Sequence, residues 1–314
     1  MITFIIRRMA GAILVLIGAS FLTFLLLSLA PGDAALAIAK ARHGADMALD
    51  ADSLARIREQ AGLDQPLLLQ YGYWLQGIVT LDLGHSLISG RPVAELVAER
   101  FARTLQLAAA ALAVAVLLSL PLGLMAGIFR GTLFDRLCII LASLGAAMPN
   151  FWLGTLLIFI FSVQLGWLPA FGRGDWQHLV LPALTLGTGV TLYTARLLRS
   201  SVADVLDSAH LAATRARGIA EHRVIGRHAF RNALIPVVTI FALEIGFLLE
   251  GAVAVEYVFG WHGLGLLFIE AVDGRDYSVI QAIVLLSAAV FVLLNFIVDV
   301  LYWWLDPRTR DAMR

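Results

Sequence analysis

Charged residues are scarce in this sequence, and that scarcity excludes the commonest class of protein. Asp, Glu, Lys and Arg together make up 15% of the 314 residues, whereas hydrophobic residues make up 60%. An ordinary soluble domain has about a quarter of its residues charged. Long apolar runs take the place of the missing charge, and runs of about 20 apolar residues are typical of helices that cross a membrane. The composition therefore predicts a membrane protein with several spans.

Cysteine and lysine occur once each, and each scarcity limits the chemistry of the chain. A lone Cys138 cannot form an internal disulfide bond, and it does not indicate whether the protein's compartment is oxidising or reducing. Lys40 follows alanine, so the Gly-Lys pair that a phosphate-binding P-loop requires is missing. The chain is therefore predicted not to be an enzyme. If ATP drives it, a separate subunit must carry out the hydrolysis.

Motifs for other chemistry are weak. His85 and Ser86 resemble part of the nucleophile elbow of hydrolases, but Ile88 occupies the position of its second glycine. The seven histidines show no His-x-x-x-His spacing of the kind that binds zinc. We therefore predict no catalytic residues, no metal, no cofactor and no nucleic-acid partner. An intramembrane hydrolase that uses Ser86 and His85 stays open as an alternative.

The apolar stretches predict an all-α membrane protein with six transmembrane helices. These stretches cover residues 9–29, 104–129, 137–164, 178–198, 233–256 and 278–305. Segment 1–30 holds the first span, 31–103 is a polar insertion, 104–305 is the transmembrane core, and 306–314 is a short tail. The first apolar run is longer than the core of a cleavable signal peptide, so we interpret it as a retained span. The stretch between the last two spans is interpreted as a loop.

The distribution of charge predicts the orientation. Arginines outnumber acids in the segments that this arrangement places on one side, and acids outnumber bases on the other side. Basic residues remain on the cytoplasmic side of membrane proteins, most strongly in short loops. Both termini are therefore predicted to be cytoplasmic, and residues 31–103 are predicted to be extracytoplasmic.

The polar residues inside predicted spans include Asn150, Glu244 and Glu250. A carboxylate in a span is unfavourable unless it faces protein or water, so such residues often line a pathway. Asn150 follows a proline in the third span, where a helix loses a backbone hydrogen bond. The three residues are our candidates for the pathway. An ion- or proton-coupled secondary transporter that uses the carboxylates is an alternative function.

Residues 200–232 form the longest polar interruption in the C-terminal part of the chain. Apolar residues from Val202 to Ala216 recur three or four apart, which predicts one helix. Arg215 and Arg217 precede Gly218, an order typical of a helix end with a left-handed glycine. A second helical pattern with regularly spaced arginines follows. Two short helices joined at a glycine between two spans indicate a docking surface for another protein.

The amino-acid sequence of this stretch resembles a known motif. AATRARG followed by RHAFRNALIP resembles the cytoplasmic coupling loop of ABC-importer permeases, in the branch that takes up dipeptides, oligopeptides and nickel. Ala212, Ala213 and Thr214 occupy the places of the family's Glu-Ala-Ala, so its glutamate is absent. The segments LDQPLLLQYGYWL, DLGHS and LDPRTR resemble the same branch. The positions that match the coupling loop and its flanks are Ala212, Ala213, Arg215, Arg217, Gly218, His228, Arg231, Asn232 and Pro236.

The resemblance implies a permease subunit of an ATP-driven importer in the bacterial inner membrane. Such a subunit would pair with a second, homologous permease and would bind two cytoplasmic ATPase subunits and an extracytoplasmic solute-binding protein, in contact with membrane lipid. The implied cargo is a peptide, a related small solute or a nickel complex.

Overall fold

The computed structural model describes residues 2–29, 33–43, 51–60, 62, 64–80, 82–172 and 174–305. Within these ranges the chain is helical and contains no β-strand beyond an isolated bridge between His85 and Pro92. The helices are α1 (Ile2–Leu29), α2 (Ala34–His43), α3 (Ala51–Gln60), α4 (Leu67–Val79), α5 (Val93–Ile128), α6 (Leu133–Ala147), α7 (Asn150–Leu157), α8 (Gln177–Leu206), α9 (Ala209–Ala216), α10 (Glu221–Arg223), α11 (Phe230–Phe259), α12 (Leu264–Gly274) and α13 (Tyr277–Leu305). Two π-helical segments, Ile158–Gln164 and Val224–Ala229, follow α7 and α10. The all-α prediction is confirmed for the described residues. The predicted tail at 306–314 lies outside them.

Three helical stretches of the described chain are long and apolar enough to cross a membrane: Arg8–Leu29, Val93–Ile128 and Tyr277–Ile297. The number rises to five if two bent pairs, 133–145 with 150–164 and 244–259 with 264–274, each count as one span. Helix α8, which occupies the place of the fourth predicted span, is not among them. The count of six spans therefore stays a prediction.

The chain divides into two compact units, the first of which contains residues 1–103 and 263–314. Helix α1 packs along α13, and Tyr71 of α4 reaches α1, where its hydroxyl lies 2.9 Å from the Ser20 hydroxyl. The start of α5 packs through Val93 and Val97 against α12 and α13. The stretch that we interpreted as a loop before the last span thus contains helix α12, whose apolar residues are buried in this core.

The second unit contains residues 104–262, and its core lies between α8 and α11. Helix α5 approaches α8 very closely: a Cβ added to Gly187 would lie 2.6 Å from the carbonyl oxygen of Ala111. Small residues allow the backbones of membrane helices to approach in this way. Gly187 is therefore a packing residue.

The third predicted span is not one continuous helix. Its two halves, 133–145 and 150–164, meet at an angle of 109°. Pro149 has no N–H, so it cannot extend the hydrogen-bond ladder of α6. The carbonyl of Gly145 that is thereby freed accepts the N–H of Met148 at 3.3 Å. The third predicted span therefore consists of two helices, because the chain turns at Met148 and Pro149.

The helix of the second predicted span begins earlier than its apolar run. Helix α5 begins at Val93 rather than at 104, within the segment assigned to the insertion. Glu99 and Arg103 form an ion pair four residues apart in its first turns, and Arg91, just before the helix, pairs with Glu95. Pairs at this spacing support an exposed helix, so the helix extends beyond its apolar part.

Candidate functional site

The candidate site is the segment 207–232, which we call the coupling segment. Helix α8 extends to Leu206, and α9 begins at Ala209 after an extended Ser208 with ψ 146°. The Ser208 hydroxyl donates to the carbonyl of Val205 at 2.6 Å, which helps to end α8. The apolar pattern from 202 to 216 therefore belongs to two helices, and the prediction of one helix is wrong.

Gly218 turns the chain after α9. Its φ is +76°, in the left-handed region that favours glycine, and its N–H donates to the carbonyl of Arg215 at 2.9 Å. Arg217 is the C-cap residue of α9. The helix end predicted at this glycine is confirmed.

The second half of the coupling segment is continuous with a long helix. Helix α10 leads through the π-helical segment directly into α11, which contains Arg231 and Asn232 in its first turn and Pro236 in its interior. The separate second helix that the sequence pattern predicted is therefore not present. Since α11 occupies the fifth predicted span, no loop separates the coupling segment from that helix.

The coupling segment has a small hydrophobic core of its own. Leu211 of α9 is buried with Val224 and Ala229 of the π-helical segment. Val205 and Leu206, at the end of α8, pack against this cluster. The rings of His210 and His228 meet edge to face, with centroids 6.1 Å apart. The coupling segment is therefore packed both on the end of α8 and on the start of α11.

An ion pair closes the chain reversal at Gly218. The Arg215 guanidinium donates to the Glu221 carboxylate, with Nη2 2.8 Å from Oε1, and Nη1 donates to the carbonyl of Leu206 at 3.1 Å. This contact lowers the pKa of the Glu221 carboxyl and raises the pKa of Arg215. Arg215 thus caps the end of α8 rather than the last carbonyls of its own helix.

The outward surface of the coupling segment is made of small and basic side chains. Ala212 and Ala213 of α9 are exposed. Four exposed arginines have side chains that make no ion pair or hydrogen bond with other described residues: Arg217, Arg223, Arg227 and Arg231. The small side chains allow the backbone of a partner to approach closely, and the basic side chains favour a partner with an acidic surface.

Asn150 is the pathway candidate that lies outside α11. It begins α7 next to Pro149, and its Nδ2 atom lies 3.4 Å from the position of a Cβ added to Gly251. Glu244 is half-buried on α11, roughly two helical turns before Gly251. Glu250 lies on α11, but its side chain is outside the described part of the chain. The structure therefore brings Asn150 to α11 at Gly251 and does not bring it together with Glu244.

Ser86 has a structural role in the first unit. Its hydroxyl is buried and donates to Oδ2 of Asp276 at 2.5 Å. Asp276 also accepts the N–H groups of Leu87 at 3.1 Å and Val279 at 3.4 Å, so it caps α13 and holds the loop that contains Ser86. His85 is exposed and is not the base that a hydrolase serine needs. The hydrolase alternative has no support in this arrangement.

Sequence reasoning missed two buried polar pairs. Asp135, at the start of α6, accepts Nε and Nη2 of Arg199 from α8 at 2.8 and 2.6 Å. Thr104 of α5 donates to a fully buried Glu256 of α11 at 2.6 Å. No sequence spacing indicates either pair, because the partners are far apart along the chain. Across the described ranges no cluster of three or more potential metal ligands occurs.

Two family profiles match almost the whole chain. Residues 119–311 match the binding-protein-dependent transport system inner membrane component, and residues 1–108 match the N-terminal membrane component of the same kind of system. The chain belongs to this family. It is therefore an ABC-importer permease of the peptide and oligopeptide branch, a multi-pass protein of the bacterial inner membrane whose ATPase is a separate subunit.

Curated relatives and a solved structure agree with this family. The glutathione transport system permease protein GsiC of Salmonella typhimurium strain LT2 is 44% identical over 310 residues, which are 99% of each chain. GsiC of Escherichia coli strain K12 is 43% identical over the same coverage. A crystal structure of an amino acid ABC transporter with histidines has a TM-score of 0.55 and 15% identity, and the match covers 68% of this permease and 95% of that chain. The structural match supports the helical fold alone.

Proposed function

We propose that this permease forms one half of a pathway for short peptides, with glutathione-like peptides as the first class to test. The observation that carries the proposal is the identity of 44% to a glutathione permease over 99% of both chains. A nickel complex is the second candidate cargo, on the resemblance to the nickel branch. The proposed partners are a homologous second permease, two ATPase subunits and an extracytoplasmic solute-binding protein.

The coupling segment is the proposed docking site of one ATPase subunit. Exposed arginines would steer an acidic surface towards it, and the exposed alanines of α9 would allow close approach. Because its core packs on Leu206 of α8 and its second half continues into α11, closure of the ATPases would pull on both helices. These two helices form the core of the second unit, so the pull would act on the helices that carry Glu244 and contact Asn150.

Uptake by the purified complex tests this function. The complex and its binding protein are placed in proteoliposomes, with ATP and Mg²⁺ on the ATPase side, and uptake of glutathione, a dipeptide and a nickel complex is measured. We expect peptide uptake that requires ATP and the binding protein. Uptake driven by a proton gradient without ATP would instead support the secondary-transporter alternative.

We also propose the six-span topology with cytoplasmic termini and an extracytoplasmic insertion at 31–103. In a Cys138→Ala background, Ala45→Cys and Gly174→Cys should react with an impermeant thiol reagent in intact cells. Glu221→Cys, in the coupling segment, should react only after the membrane is opened. Labelling of Glu221→Cys from outside would refute the topology.

Asn150, Glu244 and Glu250 are proposed to line the pathway, because polar groups in a span face protein or water. Glu250→Gln keeps the size of the side chain and removes its charge. We expect it to lower uptake of a peptide with a free amino group while uptake of an N-acetylated peptide and basal ATP hydrolysis remain unchanged. An equal effect on the two peptides would assign Glu250 a structural role.

A further inference from the structure

A cavity of about 70 Å³ lies between α5, α6 and α8 in the second unit. Its walls are almost entirely apolar and include Ala126 of α5, Ala142 of α6 and Leu192 of α8. Ile139 and Leu141, which also line it, are exposed on the surface of α6. The cavity is therefore an indentation whose wall continues onto the outer surface of the helices.

The cavity has a basic end. Arg196 and Arg199, one helical turn apart on α8, line it together with the apolar side chains. The charge of Arg199 is compensated by its two hydrogen bonds to Asp135. The side chain of Arg196 is exposed and has no ion-pair or hydrogen-bond partner among the residues that the structure describes. The site thus combines an apolar slot with one uncompensated positive charge.

An anionic phospholipid matches both features. An α-helix is about 10 Å wide, so a helix of another subunit cannot enter a slot of this size, whereas a flexible acyl chain can. A guanidinium near a membrane needs an anion, and basic pockets between membrane helices bind anionic headgroups. We propose that this cavity holds a short segment of an acyl chain of an anionic phospholipid whose phosphate pairs with Arg196.

The site adjoins the part of the permease that the ATPases are proposed to move. Asp135 also accepts the N–H of Gly131 at 2.8 Å, so Arg199 joins the wall of the cavity to the turn between α5 and α6. The end of α8, nine to ten residues beyond Arg196, packs on the core of the coupling segment. A lipid bound here would hold α6 and α8 at their common end, next to the coupling segment.

Cys138 lines the same cavity and provides a probe that needs no engineering. The complete transporter is placed in nanodiscs of phosphatidylglycerol or of phosphatidylcholine, and modification of Cys138 by N-ethylmaleimide is followed by peptide mass spectrometry. A bound anionic lipid should slow the modification about fivefold in the anionic bilayer, because one basic contact near the headgroups contributes roughly that factor in occupancy. Arg196→Gln should abolish the difference, and Arg196→Lys should retain part of it.

Arg136→Gln is the matched control, since Arg136 is an exposed arginine of α6 that does not line the cavity. It should keep the full difference between the two bilayers. Equal rates in both bilayers for the wild type, or an equal loss in the Arg136 and Arg196 variants, would overturn the proposal. Equal protection of Cys138 in both bilayers that disappears when the second permease is removed would also overturn the proposal. That result would show that the second permease, and not a lipid, covers the cavity. Under the proposed topology this lipid belongs to the cytoplasmic leaflet, and the thiol-labelling experiment tests that topology separately.

Discussion

Gly218→Val is expected to leave the permease inserted and assembled, yet to stop ATP hydrolysis from driving uptake. Gly218 has a φ of +76°, and nothing lies within 4 Å of an added Cβ, so the strain comes from the backbone and not from crowding. A left-handed conformation costs about 1–2 kcal/mol for a residue with a β-carbon, and more for a branched one. The chain would relieve this strain by opening the turn between α9 and α10.

An open turn would separate the two halves of the coupling segment. The ion pair of Arg215 with Glu221 spans this turn, and the buried contact of Leu211 with Val224 lies behind it. Without a fixed coupling segment the ATPases would have no rigid surface through which to pull α8 and α11. We expect uptake to fall by more than about tenfold, the factor that 1.4 kcal/mol represents, while basal ATP hydrolysis continues.

Gly226→Val is the control for this variant. Gly226 lies in the same segment, is also exposed and also has open space around an added Cβ, but its φ is not positive. The two variants therefore differ in backbone strain rather than in side-chain volume. Normal coupling in Gly218→Val, or an equal loss in both variants, would contradict the role assigned to this glycine.

Asp135→Asn is expected to destabilise the second unit strongly. The carboxylate of Asp135 is 3% exposed and accepts two hydrogen bonds from Arg199 as well as the N–H of Gly131. Removing one charge of a buried pair leaves the other charge uncompensated, which costs about 3–5 kcal/mol. The amide would also place a donor against the guanidinium or the Gly131 N–H. We expect a lower midpoint of thermal unfolding in detergent and a loss of uptake.

Asp207→Asn serves as the comparison, because it breaks another ion pair of the same unit. Asp207 pairs with Arg130 at 2.7 Å, but the two side chains are 72% and 55% exposed. Such a surface pair contributes at most about 1 kcal/mol. The midpoint of thermal unfolding should therefore change little in Asp207→Asn. If the two variants unfolded at the same temperature, the ion pair of Asp135 would not stabilise the unit as the structure indicates.

Local sequence patterns predict one helix end of the coupling segment correctly and miss another. The helix end at Gly218 was predictable because two arginines followed by glycine act within one turn of the chain. The break at Ser208 was not, because the same 3.6-residue periodicity runs through α8 and α9 and packing decides where the chain bends. Packing also decides the geometry of the third predicted span. Pro149 predicts a missing hydrogen bond, but the angle of 109° between the two helices depends on the helices packed around them.

The sequence by itself determined the class of the protein, its lack of an ATPase site and its family, because these depend on composition, on a missing Gly-Lys pair and on contiguous motifs. Only the tertiary structure decided which polar side chains meet. Asp135 and Arg199 are 64 residues apart, Thr104 and Glu256 are 152 apart, and Ser86 and Asp276 are 190 apart. Many acids and bases in the chain could pair, and no periodicity selects among them. Helix packing selects the pairs because it buries a few of these groups, and a buried charge must find a partner.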